Sequence, residues 1–144
     1  AVFSKAHCRT TSRLDTWPAA WTSSSCMVAF IQVMGSGGLS IAHALTRGLP
    51  KIDGVATALH GLQVAVGLLV QLDLENRQDG MLDELTGWYS RVGLPTTLRE
   101  LGAAKPSDAE LTLAAQLSLN ARHAANFDRA LDVDTLAQAL RRHA

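Results

Sequence analysis

The sequence predicts an all-α fold, and three observations carry that prediction. From Gly35 onward apolar residues recur at helical spacing, most densely in "HGLQVAVGLLVQLDLE" (His60 to Glu75). Residues that start and stop helices punctuate these blocks, among them Ser107 at capping-box spacing before Glu110, and Gly93 after "WYSRV". No stretch alternates apolar and polar residues for long enough to read as a strand.

Taken in order, residues 1–34 show no clear period before about Ser25 and hold a single acidic residue, Asp15, among many Ser, Thr, Cys and Trp. They stay unassigned, and a truncated or frame-shifted reading frame is one explanation for them. Within them "SSSCMVAFIQVMG" reads as a helix with a serine cap and Gly35 as its stop. Leu39, Ala42, His43 and Thr46 then fall on one face, which predicts a short helix over 38–47. "RGLP" closes it with Arg47 in the last turn, Gly48 as C-cap and Pro50 beyond. After the loop "LPKIDG", Thr57 is expected to cap a long helix through "ALHGLQVAVGLLVQLDLENR", too apolar for a surface position and so placed centrally. Asp79 caps the next helix, with Leu82, Leu85, Trp88, Tyr89 and Val92 facing inward and Gly93 ending it. "TTLRELG" makes a short helix, Ser107 and Glu110 open the following one, and "DVDTLAQALRRHA" places arginines in a last turn. Residues 35–144 thus form one α-helical domain.

Composition narrows the function classes. Of 144 residues, 47% are hydrophobic and 18% charged, so the chain is globular in character, and 13 basic residues balance 13 acidic ones. Nucleic acid and anionic membrane surfaces both call for a basic excess, so neither is an expected partner. The longest apolar run, Val64 to Leu74, is too short to cross a bilayer core of about 30 Å. Two cysteines, Cys8 and Cys26, do not make a disulfide framework, and the first residues lack the apolar core of a secretory signal, which points to the cytoplasm.

Two histidines are the candidates for chemistry. His43 lies on the apolar face of its short helix, where a histidine is as a rule a hydrogen-bonded core residue. The sharper reading is a metal ligand, since neutral imidazole suits zinc. His60 lies near the start of the long helix and is followed by Gly61, whose missing side chain admits a ligand or a backbone. The glycine cluster "GSGG" (Gly35 to Gly38) could cradle an anion, or allow a tight turn with close packing, which is the commoner use. It lacks the spacing and the preceding strand of a dinucleotide fingerprint. His7 with the cysteines has no ligand spacing, and Ser36 and Ser40 build no nucleophile elbow. His123 and His143 fit the dipole at helix C-termini, and Asp73, Glu75, Asp79, Asp83 and Glu84 read as a solvated face.

Three segments in order carry a resemblance: "SGGLSIAHA" (Ser36 to Ala44), "HGLQVAVGLLVQLDLE" (His60 to Glu75) and "VGLPTTLRELG" (Val92 to Gly102). Together they resemble the C-terminal helical domain of glycerol dehydrogenases, in the metal-dependent, iron-containing alcohol dehydrogenase superfamily with its dehydroquinate synthase-like fold. The likeness runs over about 35–144 and thins after Gly102. It implies that His43 and His60 are two ligands of a catalytic zinc, or of iron, which imidazole suits equally. It also implies an NAD-dependent oxidoreductase acting on a small polyol, glycerol to dihydroxyacetone, and a homo-oligomer. The family's third ligand, an aspartate in a G-x-G-D segment, has no counterpart here: Asp15 in "SRLDTW" is the only upstream acid. The α/β domain that binds NAD is also missing. Thr46 stands where a second histidine is often found, and Leu62 and Gln63 replace a charged pair. The resemblance therefore implies that this chain alone has no dehydrogenase activity. The alternative is a non-catalytic helical interaction domain derived from the same scaffold.

Overall fold

The structure, a computed structural model, describes residues 40–76 and 80–144. The expected helix before Gly35, the glycine cluster, Leu39, Asp15, Asp79 and both cysteines lie outside these residues. Within them the architecture is all-α, without a strand: α1 (Ile41–Ala44), α2 (His60–Glu75), α3 (Met81–Val92), α4 (Leu98–Leu101), α5 (Asp108–Leu119) and α6 (Val133–Arg142). Short 3₁₀ segments at Leu45–Arg47, Leu49–Lys51 and Arg122–Asn126 join them.

The organising element is α2. Eleven of its sixteen residues are buried, so it has no solvent face to speak of and other helices must cover it all round. On one side Val66 and Val70 join Ile41, Leu45, Leu49, Leu111, Leu136 and Leu140 in the main core. On another, Ala65 and Leu69 meet the buried ring of Tyr89 from α3, and on a third Val64, Leu68 and Leu72 meet Ala42 of α1. The expected central helix is thus observed, and α5 and α6 pack against each other over the main core. Leu136 and Leu140 are fully buried there, and each such side chain stabilises the fold by about 1.5–3 kcal/mol.

Several helix ends match the sequence. Ser107 and Glu110 form a complete capping box at α5, and Gly93 ends α3 in the left-handed conformation at φ 75°. Others do not. The long helix begins at His60 and not near Thr57, which is exposed in a turn. Ile52 and Val55 are buried and hold 52–58 in turns against the core, while the Gln63 side chain donates to the Ala58 carbonyl at 2.9 Å. An earlier helix start would lift Val55 out of that core.

The helix expected over 38–47 is a four-residue α-helix continued by 3₁₀ turns. Gly48 is not its left-handed cap: its φ is −92°, and Pro50 sits inside the next 3₁₀ turn. The glycine serves close approach, because a Cβ at position 48 would overlap the Ala114 carbonyl of α5. Ile41, Ala44 and Leu45 carry the buried face, which leaves His43 turned towards the edge of the core. In α3 only Tyr89 of the five expected inward residues is fully buried, and Val92 is exposed. Past Gly93 the chain folds back, with the Leu94 N–H on the Tyr89 carbonyl, and Leu94 packs on Tyr89 in place of Val92.

Candidate metal centre

The two singled-out histidines meet. His43 leaves the third position of α1, His60 is the first residue of α2, and their ring centroids lie 5.9 Å apart with the planes inclined at 57°. Two imidazoles on one tetrahedral zinc, each nitrogen ~2.0–2.1 Å from the ion, hold their ring centres about 5 Å apart. The observed separation is thus close to that of two imidazoles on one ion. His60 is exposed and His43 half-buried, so the pair lies at the edge of the core.

The electrostatics favour the ligating form. Partial burial lowers the pKa of His43, and the nearby imidazoles of His60 and then His123 lower it further. A histidine pushed below its ordinary value of 6.5 is neutral at pH 7, with a nitrogen lone pair to offer. Beside His60, Gly61 leaves room: among the described residues a Cβ there would meet nothing within 4 Å.

The donor set stops at two imidazoles. Among the described residues no group of three or more His, Cys, Asp or Glu comes together to hold a metal ion. Two nitrogens fit part of a catalytic zinc site, which takes about three protein ligands and one open position. Thr46 adds nothing to the set, because its hydroxyl donates to the His43 carbonyl at 2.7 Å. Ser40 is buried, and its carbonyl accepts from the N–H groups of His43 and Ala44.

Four residues, His123 beside the pair and His143, Asp73 and Gln71 towards the far end of α2, had other readings in the sequence or none. His123 is not at the end of an α-helix; it lies in the 3₁₀ segment Arg122–Asn126, which packs on α1, close enough for its charge to depress His43. No periodicity marks a residue in a 3₁₀ turn, so only the histidine itself was a signal. His143 does cap α6, yet burial lowers its pKa, which favours the neutral ring over the dipole-bound cation. Its Nε2 lies 3.6 Å from Asp73, which also pairs with Arg142 at 2.8 Å, so Asp73 belongs to an ion cluster and not to a merely solvated face. Gln71, buried on α2, accepts a hydrogen bond from the Ala42 N–H.

No protein-family profile matches the chain. Curated relatives do. The chain is 41% identical over 81 residues to a glycerol dehydrogenase of Thermotoga maritima, an alignment covering 56% of this chain and 22% of that protein. It is 36% identical over 81 residues to a glycolaldehyde reductase of Halobacterium salinarum, again 56% of this chain and 22% of the relative. Hydroxycarboxylate dehydrogenase A of Escherichia coli is 44% identical over 73 residues, 51% of this chain and 20% of that one. Among solved structures, glycerol dehydrogenase of Schizosaccharomyces pombe superposes with a TM-score of 0.68 at 32% identity, over 74% of this chain and 28% of that chain. A probable glycerol dehydrogenase of Sinorhizobium meliloti gives the same TM-score at 28% identity, over 73% and 30%. The chain thus spans about a fifth to a third of the length of the proteins it matches. Over that span it is homologous to glycerol dehydrogenases and shares the iron-containing alcohol dehydrogenase fold of its structural neighbours.

Proposed function

We propose that this chain is the metal-holding helical portion of a zinc- and NAD-dependent polyol oxidoreductase of the glycerol dehydrogenase type, with His43 and His60 as two of the metal's ligands. The observation that carries the reading is the pair itself: two imidazoles from two helices, 5.9 Å apart, inside a segment homologous to glycerol dehydrogenases. When bound, the metal supplies Lewis acidity towards a substrate hydroxyl and NAD accepts the hydride. Iron(II) is accommodated by the same nitrogens.

The chain's own residues divide the remaining work. His43, kept neutral by its partial burial, presents a lone pair without first losing a proton. His60, exposed at the start of α2, faces the side from which substrate arrives, and the open space at Gly61 leaves that approach free. The third ligand, the NAD wall and the substrate's other contacts belong to parts of the relatives that this chain does not span. Isolated, the chain therefore turns over no glycerol. The relatives' names support keeping the substrate class broad, since at 36–44% identity over this region they differ in the named substrate.

A second reading, a helical interaction domain without chemistry, is favoured by the missing third donor among the described residues. Calorimetric zinc titration of the full chain separates the two. The metal-holding reading expects binding of one zinc per chain at micromolar concentration, weakened by about tenfold or more in His43→Ala and in His60→Ala. Equal and negligible binding by all three proteins would sink it and leave the interaction domain standing.

A further inference from the structure

We infer that Gln71 is a positioning residue, whose buried amide fastens the start of α1 to α2 and so sets the separation of His43 and His60. α1 has four residues, far too few to persist without tertiary support. Its cap residue Ser40 makes no side-chain hydrogen bond to it, and the His43 and Ala44 N–H groups already point to the Ser40 carbonyl. The Ala42 N–H, which precedes the intrahelical ladder, is taken by Gln71 Oε1 at 3.1 Å across 29 residues of sequence.

The orientation of that amide is fixed by its chemistry. A backbone N–H only donates, so the atom facing Ala42 is the oxygen, and the Gln71 nitrogen donates to Glu75 Oε1 at 2.9 Å. One turn nearer the start of α2, Gly67 lets the two backbones touch, because a Cβ there would lie 2.6 Å from the Ala42 carbonyl oxygen. Gly67 and Gln71 thus form a small stripe at helical spacing on which α1 seats, and His60 lies seven residues before Gly67 on the same face. Ala42 directly precedes His43, so a shift of the seat moves the first imidazole relative to the second. Gln71 itself is eleven residues from His60, roughly 16 Å along the helix, and cannot touch an ion between the rings. A leucine would fill the same space; what the amide adds is direction.

This inference needs the metal-holding reading only for its affinity readout, so the closing experiment begins without metal. In the metal-free full chain, the nuclear Overhauser contact between the His43 and His60 rings is measured in wild type, Gln71→Leu, Gln71→Asn and the exchange Gln71→Glu with Glu75→Gln. The exchange retains an acceptor facing Ala42. The expected result is a contact present in wild type and in the exchange, and lost in Gln71→Leu with far-UV circular dichroism unchanged. Should the leucine variant fail to fold, the asparagine variant, one methylene too short, gives the same reading. A wild-type contact retained in folded Gln71→Leu or Gln71→Asn overturns the inference. Zinc titration of the same proteins is expected to show affinity reduced about tenfold in the leucine variant and restored in the exchange. If wild type binds no zinc while the ring contact still depends on Gln71, the metal-holding reading fails and the positioning role stands.

Discussion

Replacing glycine by alanine at positions 48 and 61 should move stability in opposite directions. Gly48 has a right-handed backbone, φ −92°, that alanine adopts without strain, so the damage is steric alone. Its new methyl would overlap the Ala114 carbonyl oxygen and lie 2.5 Å from Ser118 Oγ. Those two atoms are bonded to each other at 2.7 Å within α5, so neither can give way separately and the helix must move. Overpacking of this kind costs about 1–3 kcal/mol, offset by about 0.4–1 kcal/mol from the stiffer unfolded chain. A net loss of about 1–2 kcal/mol corresponds to a fall in Tm of about 4–9 °C for a domain of this size. At Gly61, in the first turn of α2, the methyl meets nothing within 4 Å among the described residues, and the same chain-stiffening effect should raise stability by about 0.5 kcal/mol. Urea and thermal melts followed by far-UV circular dichroism read both changes. If Gly48→Ala proves as stable as Gly61→Ala, the close approach of the 3₁₀ turn to α5 is not there, and the account of why that glycine differs from a left-handed cap is wrong.

Glu110 and Tyr89 give two further tests. The Ser107 hydroxyl first, then the Asp53 N–H and the Ser107 N–H, hold the Glu110 carboxyl down to about 2 from an ordinary 4.5. Folding thus favours the ionised form, and its contribution, complete above about pH 4.5, is lost as pH falls through about 2. Carbon-detected NMR titration should place the midpoint near 2 and Ser107→Ala should raise it, whereas a wild-type midpoint above 4 would refute the capping arrangement. Among the described residues the buried Tyr89 hydroxyl has no hydrogen-bond partner, and burial raises its pKa. Tyr89→Phe should therefore leave stability unchanged or raise it by up to about 1 kcal/mol in urea melts, and a clear loss would reveal a partnered hydroxyl.

What could be read in advance follows from the range of the forces involved. The capping box at Ser107 and Glu110 depends on residues within one turn, and the apolar density of His60 to Glu75 leaves no option but burial, so both were legible. Thr57 looked like a cap by residue type, yet the helix start is decided by Ile52 and Val55 reaching a core built from distant helices. Gly48 had a cap's identity and served a contact with a segment more than sixty residues on. At the candidate site the two histidines stood out from their apolar surroundings, local spacing favoured a core role for each, and only the resemblance turned the reading towards metal ligands. The approach of His123, and the link from Gln71 to Ala42, are tertiary facts that no period in the sequence encodes.

The burial of α2 on nearly every side has a consequence for how the protein is made. Part of its cover comes from α6, whose Leu136 and Leu140 are synthesised roughly sixty residues after the end of α2. At about 5–20 residues per second, the apolar side of α2 that meets α6 waits some 3–12 s for its partner. During that interval the nascent chain presents the segment that chaperones bind and that aggregates nucleate on, so slowing translation between α2 and α6 lengthens the hazard, and conditions that speed it shorten the exposure.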